Sequence, residues 1–368
     1  MSSPTNPRRR RLLGGLGGLA LGGLPLTGCT TEPTAAPTND TATEPVPLRE
    51  RGFDEATLLQ AVARAGAEDQ LHSLIIARHG EIHVAERFRG PGIERIANVK
   101  SVSKTLIAAL VGAAMDRGIL AGPEQRVAPL LGPLVPVDAD PRVREITVGH
   151  LLTMRAGLER TSGPNYGRWV SSPHWVRFIL SRPFVAEPGG RFLYSTGSFH
   201  LLSAVLTRVT GRSTLVLARD WLGEPLSIQI PPWTRDPQGI YMGGNNMGLT
   251  PRGMYRFGEL YRRGGEWQGE RVLSENWIRA SWQARSRSPW SGDQYGYGWF
   301  LTELGGEAVR YARGYGGQMI YVVPRPGIVV VVTSDPDRPA RSGGYVGTLH
   351  GIVGGGIIPA AADRKRSS

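Results

Sequence analysis

Regular apolar patterns begin at about residue 53 and divide the chain into elements. Residues 53–67, FDEATLLQAVARAGA, carry apolar side chains at helical spacing and predict a helix. Residues 71–88 form two alternating runs separated by a short turn, which predicts a β-hairpin. The sequence SVSKTLIAALVGAAMDRG then predicts a long helix that opens at Ser101 and ends at Gly118.

The middle of the chain is rich in Pro and Gly and is predicted to be mostly helical. Apolar strands return after it, and the β-branched run Ile328–Val332 is suited to a central strand. The elements predicted from this region onward are helices at 148–154, 174–180, 199–210, 251–263 and 274–282, strands at 295–303, 307–314, 318–324 and 327–334, and a helix at 344–353.

This order predicts an α/β (α+β) fold with one antiparallel sheet flanked by helices. A mostly α-helical lobe, about residues 119–271, is inserted between the two halves of the sheet. The N-terminal hairpin must therefore pair with C-terminal strands across the whole lobe. A cleft between sheet and lobe is the expected place for a binding site.

Composition narrows the class of protein and of ligand. The chain has 368 residues, with 40% hydrophobic and 20% charged residues, as is typical of a globular protein. The net charge of +12 comes partly from clusters at Arg8–Arg11 and Arg364–Arg366, and no basic-aromatic stripe appears elsewhere. We therefore expect no nucleic-acid partner. The histidines show no metal-ligand spacing, so we expect neither a metal nor a cofactor.

The N-terminus has the layout of an export signal. Arg8–Arg11 resemble a twin-arginine signal, a Gly/Leu run follows, and Leu26–Cys29 resembles the lipobox of bacterial lipoproteins. The apolar stretch Leu12–Leu26 is interrupted by glycines and is shorter than the about 20 residues of a membrane span. A lipid on Cys29 is therefore favoured over an uncleaved transmembrane anchor.

These features predict an exported lipoprotein that is tethered to a membrane through Cys29 and faces the periplasm or the cell exterior. The predicted organisation is an export signal at 1–28, a flexible Thr/Pro/Ala-rich tether at 29–50, a folded domain at 51–358 and a disordered basic tail at 359–368.

Lys104 stands out because only three of the 43 Lys and Arg residues are lysine. On a helix it shares a face with Ser101, three residues earlier. A serine hydroxyl needs a base to become a nucleophile, and a desolvated lysine can lose its proton whereas an arginine cannot. Ser101 is thus a candidate nucleophile and Lys104 its base. The alternative is an ordinary N-capping serine followed by an exposed lysine.

Several segments, which follow one another in the expected order along the chain, strengthen the interpretation of Ser101 as a nucleophile. They resemble landmarks of the class C β-lactamases and their serine-hydrolase relatives, which include penicillin-binding proteins, esterases and 6-aminohexanoate-dimer hydrolases. The likeness runs from about residue 53 to residue 353. The segments that carry it are Ser101–Thr105, His150–Met154, Ala156–Leu158, Gly243–Gly244, Leu249–Arg252 and Arg271–Ser274.

The resemblance implies roles for further residues. Tyr194, in PGGRFLYSTGSF, matches the tyrosine that relays a proton to or from the serine and the leaving group. The amide of Tyr315, with that of Ser101, would form the oxyanion hole. Gly314 would keep the adjacent strand free of a side chain so that substrate can approach closely.

The chain departs from the family pattern at two positions. Thr196 stands where lactamases and carboxypeptidases typically have Asn, and Ala312 stands where Lys or His is expected. Arg313 is a candidate carboxylate anchor in place of the missing cation, although neighbouring strand residues point to opposite faces. Tyr166 matches a substrate-binding tyrosine that the 6-aminohexanoate-dimer hydrolases carry on a mobile loop.

The expected function is hydrolysis of an ester or amide bond through an acyl-enzyme on Ser101, with Lys104 and Tyr194 as general base and acid. One alternative is a β-lactamase or D-alanyl-D-alanine carboxypeptidase (penicillin-binding protein), against which Thr196 and Ala312 count. Another is a non-catalytic envelope binding protein. The expected ligand is a small-molecule ester, amide or lactam, and the sequence does not indicate an oligomeric state.

Overall fold

The computed structural model describes residues 52–340 and 344–361. The predicted export signal at 1–28, the tether at 29–50 with Cys29, and most of the predicted basic tail lie outside the described residues. Residues 358–360 form a last short helix, so the folded part continues just past the predicted boundary at residue 358.

Twelve strands are present in the described part of the chain. They are β1 (Leu71–Arg78), β2 (Glu81–Arg87), β3 (Ala97–Asn98), β4 (Gly248–Leu249), β5 (Glu266–Trp267), β6 (Glu270–Arg271), β7 (Ser286–Arg287), β8 (Gln294–Tyr295), β9 (Phe300–Leu304), β10 (Glu307–Gly314), β11 (Gln318–Val323) and β12 (Ile328–Ser334).

Eight of these strands form one sheet in the order β2-β1-β12-β11-β10-β9-β8-β7, and every pairing in it is antiparallel. Strand β1 pairs with β12, where Ile76 lies opposite Val330. This confirms that the N-terminal hairpin joins the C-terminal strands across the inserted lobe. The β-branched residues of β12 are buried on both faces of the sheet, as expected for a central strand.

The described residues also contain twelve α-helices, which surround this sheet or form the lobe. They are α1 (Glu55–Ala67), α2 (Ser103–Asp116), α3 (Val127–Leu131), α4 (Val148–Leu152), α5 (Tyr166–Val170), α6 (Trp175–Leu180), α7 (Thr196–Thr210), α8 (Thr214–Ala218), α9 (Pro251–Arg262), α10 (Glu275–Ser281), α11 (Tyr345–Ile352) and α12 (Ile358–Ala360).

The two faces of the sheet carry different helices. On one face, a Cβ at Gly258 of α9 would lie 2.8 Å from Ile320 and 2.9 Å from Val329, so helix and sheet are in close contact. On the other face, the hydroxyl of Tyr321 lies 3.0 Å from Nδ1 of His350 on α11. Helix α9 was expected within the helical lobe at 119–271, but it packs on the sheet. The apolar stripe of α9 predicts that one face of the helix is buried, but it does not show whether that face packs on the sheet or on the lobe.

Helix α2 lies at the centre of the molecule, and residues 103–114 are all buried. It begins two residues later than predicted, because Ser101 lies in a short 3₁₀ turn, Lys100–Val102, that precedes the helix. A Cβ at Gly112 would lie 2.3 Å from ring atoms of Trp277 on α10. Only glycine fits at this crossing of the two helices.

Helix α7 forms the centre of the lobe and packs against α2, α3, α4 and α6. Within the described ranges, no single helix is long and apolar enough to cross a bilayer, although α7 and the helical segment Thr214–Gly223, bent by 90°, pass that test together by length and composition.

The contact between α2 and α10 yields a test of the packing. We expect Gly112→Ala to lower the free energy of unfolding by about 1–3 kcal/mol, because the methyl group overlaps the Trp277 ring. Gly347→Ala in α11 is the matched control, since an added methyl group there would have no atom within 4 Å, and it should stabilise the protein by up to about 1 kcal/mol. Urea unfolding of both variants measures the difference, and equal effects would contradict this packing.

Candidate active site

The amine of Lys104 is buried, with only 1% of the residue exposed. Its Nζ lies 2.9 Å from Oγ of Ser101, 3.2 Å from Oγ1 of Thr196 and 2.6 Å from the carbonyl oxygen of Gly244. Burial lowers the pKa of Lys104, because desolvation disfavours the ammonium. The structure therefore places an amine that releases its proton readily within hydrogen-bond distance of the serine hydroxyl.

The turn that presents Ser101 is held from both sides. Lys100 has a left-handed backbone with φ of 49°, and its amide donates to Oδ1 of Asn98 over 2.9 Å. Oγ of the buried Ser103 donates to the Lys100 carbonyl over 2.5 Å and accepts from the Met247 amide over 3.1 Å. A non-glycine residue in this conformation persists only where its surroundings fix it. Ser103 was not predicted to have this bracing role.

Tyr194 lines the same cavity as Ser101, and its ring centroid lies 4.9 Å from Nζ of Lys104. Burial raises the pKa of the phenol, but the charge of Lys104 and hydrogen bonding from Ser101 act against it, and the net pKa is lowered. The two groups titrate as a pair. A neutral amine with a neutral phenol and an ammonium with a phenolate hold the same number of protons, but Lys104 itself can take the proton of Ser101 only in the form with the neutral amine.

Hydrogen bonds from the neighbouring loop fix the segment that follows Tyr194. The Thr161 amide donates to Oγ of Ser195 over 3.1 Å, and the Gly197 amide donates to Oγ1 of Thr161 over 2.9 Å. Ser162 also contributes, because its Oγ accepts from the Thr196 amide over 2.9 Å. These contacts set the start of α7 and hence the position of Thr196 beside Lys104.

The glycine pair 243–244 has a steric explanation. A Cβ at Gly243 would lie 1.9 Å from the carbonyl oxygen of Phe199, so only glycine allows this backbone to approach α7. The approach brings the carbonyl of Gly244 to Lys104. Sequence reasoning identified the pair as a landmark and missed the acceptor, since a backbone carbonyl leaves no side-chain signal.

Strand β10 supplies the opposite wall of the site. A Cβ at Gly314 would lie 2.4 Å from the carbonyl oxygen of Val99. Gly314 lines the cavity, so its role in leaving room for substrate stays a prediction, and the structure adds that a side chain here would collide with the turn that carries Ser101. The amide of Tyr315 finds no hydrogen-bond acceptor among residues 52–340 and 344–361. The residue Tyr315 is 54% exposed and is one of those that line the cavity.

The cavity has a volume of about 280 Å³. Its described lining contains Ser101, Tyr194 and Ser162, aromatic residues such as Trp290 and Phe300, and no acidic residue. Ser162 and Trp290 were missed by sequence reasoning, because residues on irregular loops follow no period. No group of three or more potential metal ligands occurs in the described part of the chain.

Two arginines face this cavity, Arg160 and Arg313. Their guanidinium carbons lie 5.2 Å from the ring centroid of Trp290 and 4.7 Å from that of Phe300, respectively. Neither makes an ion pair within the described ranges. Ala312 is buried and does not line the cavity, whereas Arg313 does. Neighbouring strand residues point to opposite faces, and here position 313, not position 312, faces the cavity.

Tyr166 is not among the described residues that line the cavity. Its hydroxyl accepts from Nδ2 of Asn245 over 3.0 Å, and its ring meets the edge of Trp169 at 5.7 Å. Burial raises the pKa of Tyr166. This position beside the Trp169 ring gives no support to the predicted contact with substrate.

Comparison with known proteins identifies the family and the fold. The family model described as Beta-lactamase matches residues 59–350. A penicillin-binding protein homologue from Pyrococcus abyssi, described as octameric, is similar with a TM-score of 0.66 and 19% identity, over 82% of this chain and 77% of that chain.

Two further solved structures have the same fold. EstCE1, described as a hydrolase with promiscuous acyltransferase activity, has a TM-score of 0.66 and 20% identity, over 83% of this chain and 98% of its own. A D-stereospecific amidohydrolase from Streptomyces sp. has a TM-score of 0.62 and 20% identity, over 80% of this chain and 97% of its own. At these identities the structures establish the fold, while the family model spans most of the chain. The chain therefore belongs to the beta-lactamase family and is a serine hydrolase of that type.

Proposed function

We propose that this protein is an exported hydrolase that cleaves an ester or amide bond through an acyl-enzyme on Ser101. The observation that carries the proposal is the buried amine of Lys104, 2.9 Å from the Ser101 hydroxyl. A non-catalytic binding protein would have no need to keep a desolvated amine beside a hydroxyl that lines a cavity, since burying an amine is unfavourable.

In the acylation step, Oγ of Ser101 attacks the substrate carbonyl while the pair of Lys104 and Tyr194 takes its proton. The amides of Ser101 and Tyr315 are the proposed donors to the developing oxyanion. The unoccupied donor at Tyr315 supports this assignment. The pair gives the proton of Ser101 up to the leaving group as the bond between the leaving atom and the acyl carbon breaks. Water then attacks the acyl carbonyl, the pair takes a proton from the water and returns one to Oγ of Ser101, and the acid product is released.

The charge of the cavity supports an anionic substrate. Arg313 and Arg160 face it, and none of its described lining residues is acidic. We propose that Arg313 anchors a carboxylate on the substrate, in the role foreseen for it. The same observation favours a second candidate function, hydrolysis of β-lactams or D-alanyl peptides, which also carry a carboxylate. Thr196 and Ala312 continue to count against that alternative.

Export and membrane attachment through a lipid on Cys29 remain part of the proposal. They are supported by the sequence of residues 1–29. Fractionation of cells that express Cys29→Ala tests the lipid anchor. We expect this variant to be absent from the membrane fraction. A variant that stays in the membrane fraction would argue against the anchor.

The nucleophile can be tested directly. We expect Ser101→Ala to lower kcat/KM for p-nitrophenyl acetate by more than about 10³-fold, because the proposed nucleophile is removed. Intact-mass measurement should find the acyl adduct on the native protein and not on Ser101→Ala. Ser171→Ala, a change at an exposed serine of the lobe, is the matched control. An unchanged rate in Ser101→Ala would remove the assignment, and nitrocefin turnover that far exceeds ester turnover would favour the lactamase alternative.

The anchor can be tested with a pair of esters. We expect Arg313→Gln to raise KM for mono-p-nitrophenyl glutarate about tenfold or more, since a hydrogen bond to a charged group is lost. The KM for the neutral p-nitrophenyl butyrate should change little. Arg168→Gln, at an exposed arginine of α5, controls for the loss of one positive charge. Equal effects of Arg313→Gln on both esters would contradict the anchoring role.

A further inference from the structure

A continuous chain of hydroxyl groups leads from the buried amine to the cavity. Nζ of Lys104 lies 3.2 Å from Oγ1 of Thr196, and that oxygen lies 3.0 Å from Oγ of Ser162. Ser162 lines the cavity, whereas Thr196 is only 4% exposed. We propose that Thr196 and Ser162 relay the proton of Ser101 from Lys104 to the leaving group. This inference rests on the proposed function, because it completes the proton transfer of the acylation step.

The contacts of the amine are compatible with this direction when the amine is neutral. A neutral amine has two N–H groups and one lone pair. The carbonyl of Gly244 can only accept, so it takes one N–H, and in the proposed relay the hydroxyl oxygen of Thr196 accepts the other. The lone pair is then left for the hydroxyl proton of Ser101. This is the arrangement from which the serine loses its proton to Lys104.

The contacts of Ser162 extend the same direction. Its oxygen accepts from the Thr196 amide over 2.9 Å and is 3.0 Å from the Thr196 hydroxyl. Since Oγ1 of Thr196 already accepts from Lys104, its own proton is directed to Ser162. A serine oxygen that accepts twice still has its own O–H to donate. Because the side chain of Ser162 lines the cavity, its O–H is available to donate to a group bound there.

The proton count of the step balances. A bond forms between Oγ of Ser101 and the acyl carbon, and the bond from that carbon to the leaving oxygen or nitrogen breaks. The serine proton passes to Lys104, Lys104 gives one to Thr196, Thr196 gives one to Ser162, and Ser162 gives one to the leaving atom. Each hydroxyl ends with one proton and Lys104 is neutral again, so no further reactant is needed.

The relay explains why a threonine at position 196, where the family typically has Asn, is chemically useful. The side-chain amide of an Asn has separate donor and acceptor atoms, while a hydroxyl accepts and donates at one atom and can pass a proton on. Burial of Thr196 also keeps water from bypassing this part of the chain. Tyr194 lines the cavity as well and is the competing donor to the leaving group.

Leaving groups of different basicity separate a relay from a structural role. p-Nitrophenolate departs without a proton, whereas p-methylphenolate is about as basic as a tyrosine phenolate, with a conjugate-acid pKa of about 10. We expect Ser162→Ala and Thr196→Val to raise the ratio of kcat/KM for p-nitrophenyl acetate over p-methylphenyl acetate about tenfold or more, since general acid catalysis is lost for the basic group alone. Thr196→Ser retains the hydroxyl and should restore the native ratio.

Each outcome decides the proposal. Equal losses for both esters in Ser162→Ala and Thr196→Val would overturn it, because a merely structural role lowers both rates together. A ratio that changes in Tyr194→Phe and not in these two variants would overturn it in favour of the phenol. A burst of p-nitrophenol from each variant shows that its site is folded, and Ser171→Ala is the control. If Ser101→Ala keeps both activities, the proposed function itself fails, whatever the ratio.

Discussion

The arrangement of the site depends on one unfavourable burial, that of the Lys104 amine inside a helix with hardly any exposed residue. Three oxygens compensate it, from Ser101, Thr196 and Gly244. They come from three separate segments of the chain, so all the polar contacts of the amine form only when the Lys100–Val102 turn, the start of α7 and the segment with Gly244 meet. An arginine would keep its charge in this position, and only lysine can be both buried here and neutral.

The fold brings these segments together by close backbone approach. The sheet places β10 against the Ser101 turn, and Gly314 allows the carbonyl of Val99 to come near. Gly243 likewise allows its own segment to come close to the carbonyl of Phe199 on α7. Larger residues at either position would separate the walls of the site. The antiparallel pairing of β1 with β12 joins the two ends of the domain, so the lobe that carries Thr196 is anchored to the sheet at both of its connections.

The sequence was most informative where periodicity was strong. The hairpin, the strands β10–β12 and the helix α2 follow patterns that local sequence determines, and Ser101 with Lys104 could be paired from their spacing and the rarity of lysine. The packing of α9 on the sheet could not be predicted, since an apolar stripe does not specify its partner. Ser162, Arg160 and the Gly244 carbonyl were also missed, because contacts made by loops and backbone oxygens depend on the tertiary fold.

The charge state of Lys104 is the most direct test of this account. The protein labelled with ¹³C-lysine should give an NMR titration of the ε-carbon of each lysine, and the Lys104→Arg variant identifies the signal of Lys104 by its absence. We expect that signal to titrate with a pKa below the ordinary lysine value of about 10.4, because desolvation disfavours the ammonium. An ammonium that persists to or above that value would contradict a neutral amine beside Ser101.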